Sequence, residues 1–211
     1  MSTTPGGRPS GAGAAPSSAH RIVGAHEFRG MRTVEHVFAV PLDHGRPDGE
    51  LIEVFAREYV AAAHPVGAVE RLPWLVFLQG GPGGRGGRVT SLSGWMKAAA
   101  QDFRILMLDQ RGTGLSTPAD RTTLPRRGGP AAQAAYLGHF RADSIVLDCE
   151  VIRRALGSGP WTVFGQSFGG FCALSYLSFA PQGVRRAIIT GGLAPLDGPA
   201  ERVYRVVWRA A

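Results

Sequence analysis

The sequence predicts an α/β protein with a doubly wound, mostly parallel sheet that carries an antiparallel hairpin at its N-terminal end. From residue 74 onward, short apolar runs alternate with helix-like runs, which is the pattern of successive β-α-β units. Before residue 74, two runs with strand periodicity are separated only by a turn, which is typical of an antiparallel hairpin. These two observations define the fold class before any motif is considered.

The composition indicates one globular domain without a nucleic-acid or membrane partner. The chain has 211 residues, of which 44% are hydrophobic, so it can build a core. Its net charge of +7 would suit nucleic acid, but the arginines are scattered and no lysine cluster or nucleic-acid motif accompanies them. No apolar run approaches the roughly 20 residues that a membrane-spanning helix needs. The oligomeric state stays unknown at this point.

The two cysteines and the N-terminus favour a cytoplasmic location. Cys149 and Cys172 each fall inside a predicted helix, which suits buried reduced thiols better than a disulfide scaffold. The N-terminus has no apolar segment of the kind found in secretory signals.

The first part of the chain predicts a tail followed by the hairpin. Residues 1–30 begin with Gly, Ala, Ser and Pro and offer little to bury, so they are expected to form a disordered tail. Alternation over residues 32–40 and a second apolar run over residues 51–62 predict the two hairpin strands at the edge of the sheet. The histidines in this region lack the spacing of a metal site and are expected at the surface or in caps.

The remaining elements follow from periodicity and from breaks at glycine and proline. Strands are predicted at residues 74–78, 103–108, 161–164 and 184–190. Helices are predicted at residues 92–101, 136–156, 171–179 and 199–209, with a loop over residues 117–132. Residues 31–195 would then form the core of the domain.

Three glycine-rich segments follow predicted strands and therefore meet at the carboxyl edge of the sheet, where open α/β sheets bind ligands. They span residues 79–84, 109–116 and 165–170. The last contains Gly-x-Ser-x-Gly between a strand and a helix, the pattern of a nucleophile elbow, which exposes a serine hydroxyl on a tight turn. The first does not continue into Gly-Lys-Ser/Thr, so a phosphate-binding loop is disfavoured.

The segment 109–116 also carries an acid and an arginine, Asp109 and Arg111. Side chains at this edge could touch substrate, or they could pair and brace the loop. Because buried charges are usually paired, bracing is favoured.

Taken together, three motifs resemble the prolyl aminopeptidases (proline iminopeptidases), serine peptidases with the α/β-hydrolase fold. The motifs are Gln79-Gly80-Gly81-Pro82-Gly83, Asp109-Gln110-Arg111-Gly112-Thr113-Gly114-Leu115-Ser116 and Gly165-Gln166-Ser167-Phe168-Gly169-Gly170. The resemblance runs from about residue 31 to the C-terminus and keeps the family's motif order. It implies release of N-terminal proline from peptides, without a metal or an organic cofactor.

The resemblance also implies roles for individual residues. Ser167 would be the nucleophile that forms the acyl-enzyme, and the backbone N–H groups of Gly81 and Phe168 would form the oxyanion hole. The residues implied to frame the site are Gln79, Gly80, Pro82, Asp109, Gln110, Arg111, Gly165, Gln166 and Gly169. Gln79 stands where many members of the family have histidine.

The resemblance is to the N-terminal part of the family only. In this fold the triad order is Ser, then an acid, then His, yet all six histidines precede Ser167. Asp197 and Glu201 fall where the helical cap begins, within residues 196–211. The sequence therefore predicts a fragment in which the last strands, the triad acid and base and most of the cap are missing, with little activity alone.

Three alternatives remain open at this point. The chain could be a complete small protein that lost catalysis, although its end inside a predicted helix favours truncation. It could belong to another kind of α/β hydrolase, such as an esterase, because the cap residues that would bind a free amine are not in view. It could also be a non-catalytic interaction module on the same fold, although the serine and the glycine loops count against this.

Overall fold

A computed structural model describes residues 20–192, which form one seven-stranded sheet with helices against it. The strands are β1 (His20–Phe28), β2 (Met31–Pro41), β3 (Leu51–Ala61), β4 (Trp74–Leu78), β5 (Arg104–Asp109), β6 (Trp161–Gln166) and β7 (Val184–Thr190). Their order across the sheet is β1-β2-β3-β5-β4-β6-β7. The pairs among β5, β4, β6 and β7 are parallel, and those among β1, β2, β3 and β5 are antiparallel. The α/β class and the N-terminal hairpin are thereby confirmed.

The helices differ from the prediction mainly before β6. They are α1 (Val66–Val69), α2 (Gly94–Ala99), α3 (Pro130–Leu137), α4 (Ala142–Ala155) and α5 (Phe168–Phe179), with 3₁₀ turns at Leu124–Arg127 and Pro181–Gly183. The single helix predicted over residues 136–156 is wrong: Arg141 is extended and separates α3 from α4. The loop predicted over residues 117–132 ends early because Pro130, with its fixed φ, starts α3.

The tail predicted over residues 1–30 is wrong for its last part. Residues 20–28 form β1, which pairs along β2 and makes β1, rather than β2, the edge strand. Arg29 and Gly30 connect the two strands with φ of 49° and 72°, and positive φ at both central residues is what a tight type I′ hairpin turn requires. Residues 1–19 and 193–211, including the predicted start of the cap, lie outside the described residues.

The core has a layer on each face of the sheet, and β4 contributes to both. Trp74, Val76 and Leu78 pack into the layer with α3, α4 and α5, whereas Leu75 and Phe77 pack into the layer with α2. This alternation confirms that the continuous apolar run is a strand covered on both faces. Cys149 and Cys172 lie in the first layer as free, buried thiols, as the sequence predicted. Within residues 20–192, no helix has the length and apolarity to cross a bilayer.

Candidate active site at the carboxyl ends of β4, β5 and β6

Ser167 lies on the turn between β6 and α5, in a strained backbone conformation. Its φ is 54° and its ψ is −120°, and it is exposed to solvent. Such a conformation in a residue other than glycine costs about 1–3 kcal/mol and persists only where neighbouring structure enforces it. Here the Ser167 N–H donates to the carbonyl of Thr190 at 2.8 Å, and the Ser167 carbonyl accepts from the N–H of Gly170 at 2.8 Å. This is the geometry that the elbow motif predicts.

The glycines around Ser167 allow close approach of backbone to backbone. A Cβ on Gly169 would overlap the carbonyl oxygen of Leu78, and a Cβ on Gly165 would overlap the backbone of Gly169. On the facing loop, a Cβ on Gly80 would lie 2.9 Å from the Cβ of Ser167 and 3.5 Å from its Oγ. The first glycine loop therefore lies directly against the serine, as its position after β4 predicted.

The two predicted oxyanion residues each follow one member of the contact between Ser167 and Gly80. Phe168 directly follows Ser167 and is the first residue of α5, a helix of 12 residues. Its side chain is half-buried. Gly81 is exposed and follows Gly80. The N-terminal end of a helix favours negative charge. That the N–H groups of Gly81 and Phe168 bind an oxyanion stays a prediction.

Gln79 and Gln110 hold the first glycine loop in place. The side-chain carbonyl of Gln79 accepts from the N–H of Gly80 at 3.0 Å. Gln110 is buried, and its amide donates to the backbone carbonyl of Gln79 at 3.2 Å. Two other residues predicted to frame the site, Pro82 and Gln166, are exposed. In the described structure, the side chains of both glutamines thus bind the backbone of the first glycine loop.

Arg111 braces the second loop, but its ion-pair partner is Asp148 and not Asp109, the acid next to it in sequence. The guanidinium binds both carboxylate oxygens of Asp148 on α4, with a distance of 2.7 Å from Nε to Oδ2, and both side chains are buried. It also donates to the backbone carbonyls of Pro41, Leu42 and His139 at 2.8–3.0 Å. The contacts are those of a brace, the role favoured from the sequence, and they tie the loop after β5 to three other segments.

Asp109 does not pair with Arg111. Its carboxylate accepts from the N–H of Leu115 at 2.8 Å, and its backbone carbonyl accepts from the hydroxyl of Ser116. Burial raises the pKa of Asp109, and this effect outweighs the lowering by backbone N–H groups and by Arg57. Asp109 therefore shapes its own loop.

Sequence reasoning missed Asp148, His44 and Thr190 in this region, and it also misjudged His36 on β2. Asp148 could have been suspected as an acid in the apolar pattern of α4, and it is 1% exposed. His44, expected at the surface or in a cap, is half-buried with its Nε2 2.9 Å from Oδ1 of Asp148. The same expectation is wrong for His36, which is buried next to Glu58. Thr190 acts through its backbone carbonyl, for which the sequence carries no signal.

No histidine side chain among residues 20–192 forms a hydrogen bond with Ser167. His20 and His36 contact each other, His44 contacts Asp148, and the His64 ring contacts the carbonyl of Ala100. The described part of the chain also holds no cluster of three His, Cys, Asp or Glu side chains suited to a metal ion. Within this range, the site consists of a strained serine, two glycine loops and a helix N-terminus.

Comparison with known proteins adds to this geometry. The profile of a family described as alpha/beta hydrolase fold matches residues 73–209. Proline iminopeptidases of Aeromonas sobria and Aspergillus aculeatus are 47% and 41% identical to the chain over 85% of its length. The chain spans 42% and 41% of the length of these two relatives. A solved structure, a proline iminopeptidase-related protein of Thermus thermophilus, is 23% identical with a TM-score of 0.47, over 83% of this chain and 56% of that one.

Proposed function

The chain belongs to the alpha/beta hydrolase fold family, and on that premise we propose that it carries the nucleophile of a serine peptidase that releases N-terminal proline from peptides. The Ser167 hydroxyl attacks the carbonyl of the first residue, the peptide C–N bond breaks, and the rest of the peptide leaves as an amine that takes up the proton of the hydroxyl. Water then hydrolyses the acyl-enzyme to free proline and restores the hydroxyl. The N–H groups of Gly81 and Phe168 stabilise the oxyanion. The similarity to two proline iminopeptidases over 85% of the chain supports this substrate class.

One observation carries the proposal: the strained exposed serine at φ 54°, with Gly80 against its side chain. A structural serine in a strand-to-helix turn has no need of positive φ, and the strain is disfavoured unless the hydroxyl must project. The close approach of Gly80 to the Ser167 side chain supports the oxyanion role that we propose for the neighbouring Gly81. Both features are ones that acyl transfer by Ser167 would require, and they support the proposal.

The proposal requires a general base that residues 20–192 do not supply. Without a base the serine is an unactivated alcohol, and only the oxyanion interactions and binding would remain to accelerate the reaction. We therefore expect little turnover of proline arylamide by the 211-residue chain. The base and its acid would come from sequence corresponding to the remaining length of the relatives.

A chimera tests the proposal directly. Residues 31–192 would replace the matching segment of the Aeromonas sobria proline iminopeptidase, and hydrolysis of proline arylamide and of a simple ester would be measured. We expect arylamide hydrolysis, its loss in Ser167→Ala, and retention in Ser178→Ala, an exposed serine on the same helix. A chimera that is folded by circular dichroism but inert towards the arylamide, or that cleaves only the ester, would overturn the proposal.

A further inference from the structure

A polar pocket of about 290 Å³ lies between the first glycine loop and the loop after β5. Its charged lining consists of Arg57 on β3, Arg85 and Arg88 just after the first glycine loop, and Asp109 at the end of β5. Three guanidinium groups in one pocket favour an anionic ligand. Of the residues implied to frame the active site, only Asp109 lines this pocket.

The pocket keeps positive charge after its internal pairs are counted. Arg57 is committed to Glu35, with 2.9 Å from Nε to Oε1. Within residues 20–192, Arg85 and Arg88 have no carboxylate within 4 Å, and both are exposed. Asp109 faces the same pocket, where its carboxylate accepts from the backbone N–H groups of Leu115 and Gly86 and attracts Arg57 and Arg85 without forming an ion pair within 4 Å. Two guanidinium groups thus remain available for a ligand.

The same loop connects this pocket to the nucleophile. Gly80, at its start, lies against Ser167, and Gly86, further along, lies against Asp109. Ser167 follows β6 and Asp109 ends β5, and only β4 lies between these two strands. Two strand spacings therefore place Asp109, on the wall of the pocket, about 10 Å from Ser167.

We propose that Arg85 and Arg88 bind the C-terminal carboxylate of a short peptide whose N-terminal residue lies at Ser167. The inference rests on the proposed function and adds a substrate length to it. An extended peptide rises about 3.3–3.6 Å per residue, so 10 Å separates the scissile carbonyl from a carboxylate about three residues on. The reach of the arginine side chains shortens this span and favours tripeptides and tetrapeptides.

The chemistry of the pocket distinguishes a free carboxylate from its amide. A guanidinium matches the two oxygens of a carboxylate with two parallel hydrogen bonds, whereas a primary amide offers one acceptor and no charge. Because the two arginines are exposed, the interaction weakens as salt screens it. The pocket therefore selects peptides by their C-terminal group and not by their side chains.

Binding can be measured without catalysis, on the 211-residue chain carrying Ser167→Ala. Arginine side-chain and backbone NMR signals would be followed during titration with Pro-Gly-Gly, Pro-Gly-Gly-amide, acetate and inorganic phosphate. We expect Pro-Gly-Gly to shift the Arg85 and Arg88 side-chain signals together with the amide of Phe168, and to bind at least about tenfold more tightly than its amide. The double variant R85Q/R88Q should remove this preference, and the control R121Q, an exposed loop arginine outside the pocket, should retain it.

Each other outcome overturns the inference in a recognisable way. Equal affinity for the acid and the amide means that the pocket does not read the carboxylate. Shifts at the arginines without a shift at Phe168, or equal shifts with acetate or phosphate, mean that the pocket binds small anions and is no peptide subsite. None of these results depends on a reactive serine, so they are separate from failure of the chimera to hydrolyse arylamide.

Discussion

Replacement of Arg111 by methionine tests whether the second loop is held by one buried cation. Arg111 and Asp148 are 0% and 1% exposed, so the substitution leaves a buried carboxylate without its guanidinium, with only the ring of His44 beside it. The three backbone carbonyls that now accept hydrogen bonds from the guanidinium also lose this donor. Methionine has a similar length and fills most of the space, which confines the change to charge and hydrogen bonds.

The expected loss is large for a single side chain. Breaking a buried pair by removing one partner destabilises a protein by about 3–5 kcal/mol, because the remaining charge stays desolvated. Domains of this size have total stabilities of about 5–15 kcal/mol, so R111M should lose a substantial share of the free energy of unfolding. Removing both charges in R111M/D148L should restore part of that loss, since no unpaired carboxylate remains.

Urea unfolding followed by tryptophan fluorescence measures these free energies. The matched control is R21M, which breaks an exposed pair between Arg21 and Glu53 and should cost about 1 kcal/mol or less. If R111M unfolds in buffer, every variant is compared at one concentration of added sulfate, which favours the folded state. A loss in R111M no greater than in R21M, or a double variant less stable than R111M, would refute the bracing role.

Three further predictions use the same protein. Gly169→Ala should destabilise the chain by about 1–3 kcal/mol or more in urea unfolding, because its Cβ meets backbone, whereas Gly87→Ala enters open space and should change stability by at most about 0.5 kcal/mol. Burial raises the pKa of the Cys149 thiol well above its usual value and that of Cys172 to about 12, so neither should react with a thiol reagent until the chain is unfolded. For Glu150, burial alone would raise the pKa, but hydrogen bonds from a neighbouring arginine and tyrosine lower it below its usual value. The stabilisation by Glu150 is therefore present above about pH 4.5 and lost as pH falls through the pKa of the folded state. E150Q should reduce the fall of the unfolding free energy at acidic pH, and an unchanged fall would contradict the assignment.

The sequence predicted strands whose apolar residues are bounded by proline or glycine. For β4 and β7 the predicted bounds, residues 74–78 and 184–190, are those of the structure. In contrast, β1 was missed because its apolar residues, Ile22, Val23 and Phe28, do not alternate with polar ones, so no strand periodicity marks it. A strand of this kind is defined by hydrogen bonds to its neighbour, which are not visible in hydrophobic periodicity.

In the candidate site, features formed by residues close in sequence were predictable, and contacts between distant residues were not. The elbow was predictable because its strain, its glycines and its flanking elements lie within a few residues of Ser167. The partner of Arg111 was not, because Asp148 lies 37 residues further along the chain, on a helix that the prediction had merged with its neighbour. Pairings of this kind depend on the packed arrangement of α4 against the loops, which no motif encodes.

The strained backbone of Ser167 depends on β7, the last described strand, for one of its hydrogen bonds. The Ser167 N–H is held by the carbonyl of Thr190, the last residue of β7. Yet β7 is the edge of the sheet within residues 20–192, and Ile188 and Ile189 on it are 45% and 37% exposed. An edge strand with exposed apolar side chains is weakly fixed. Because a strained turn persists only where its surroundings over-determine it, polypeptide that covers β7 would sharpen the geometry of Ser167 without touching the serine.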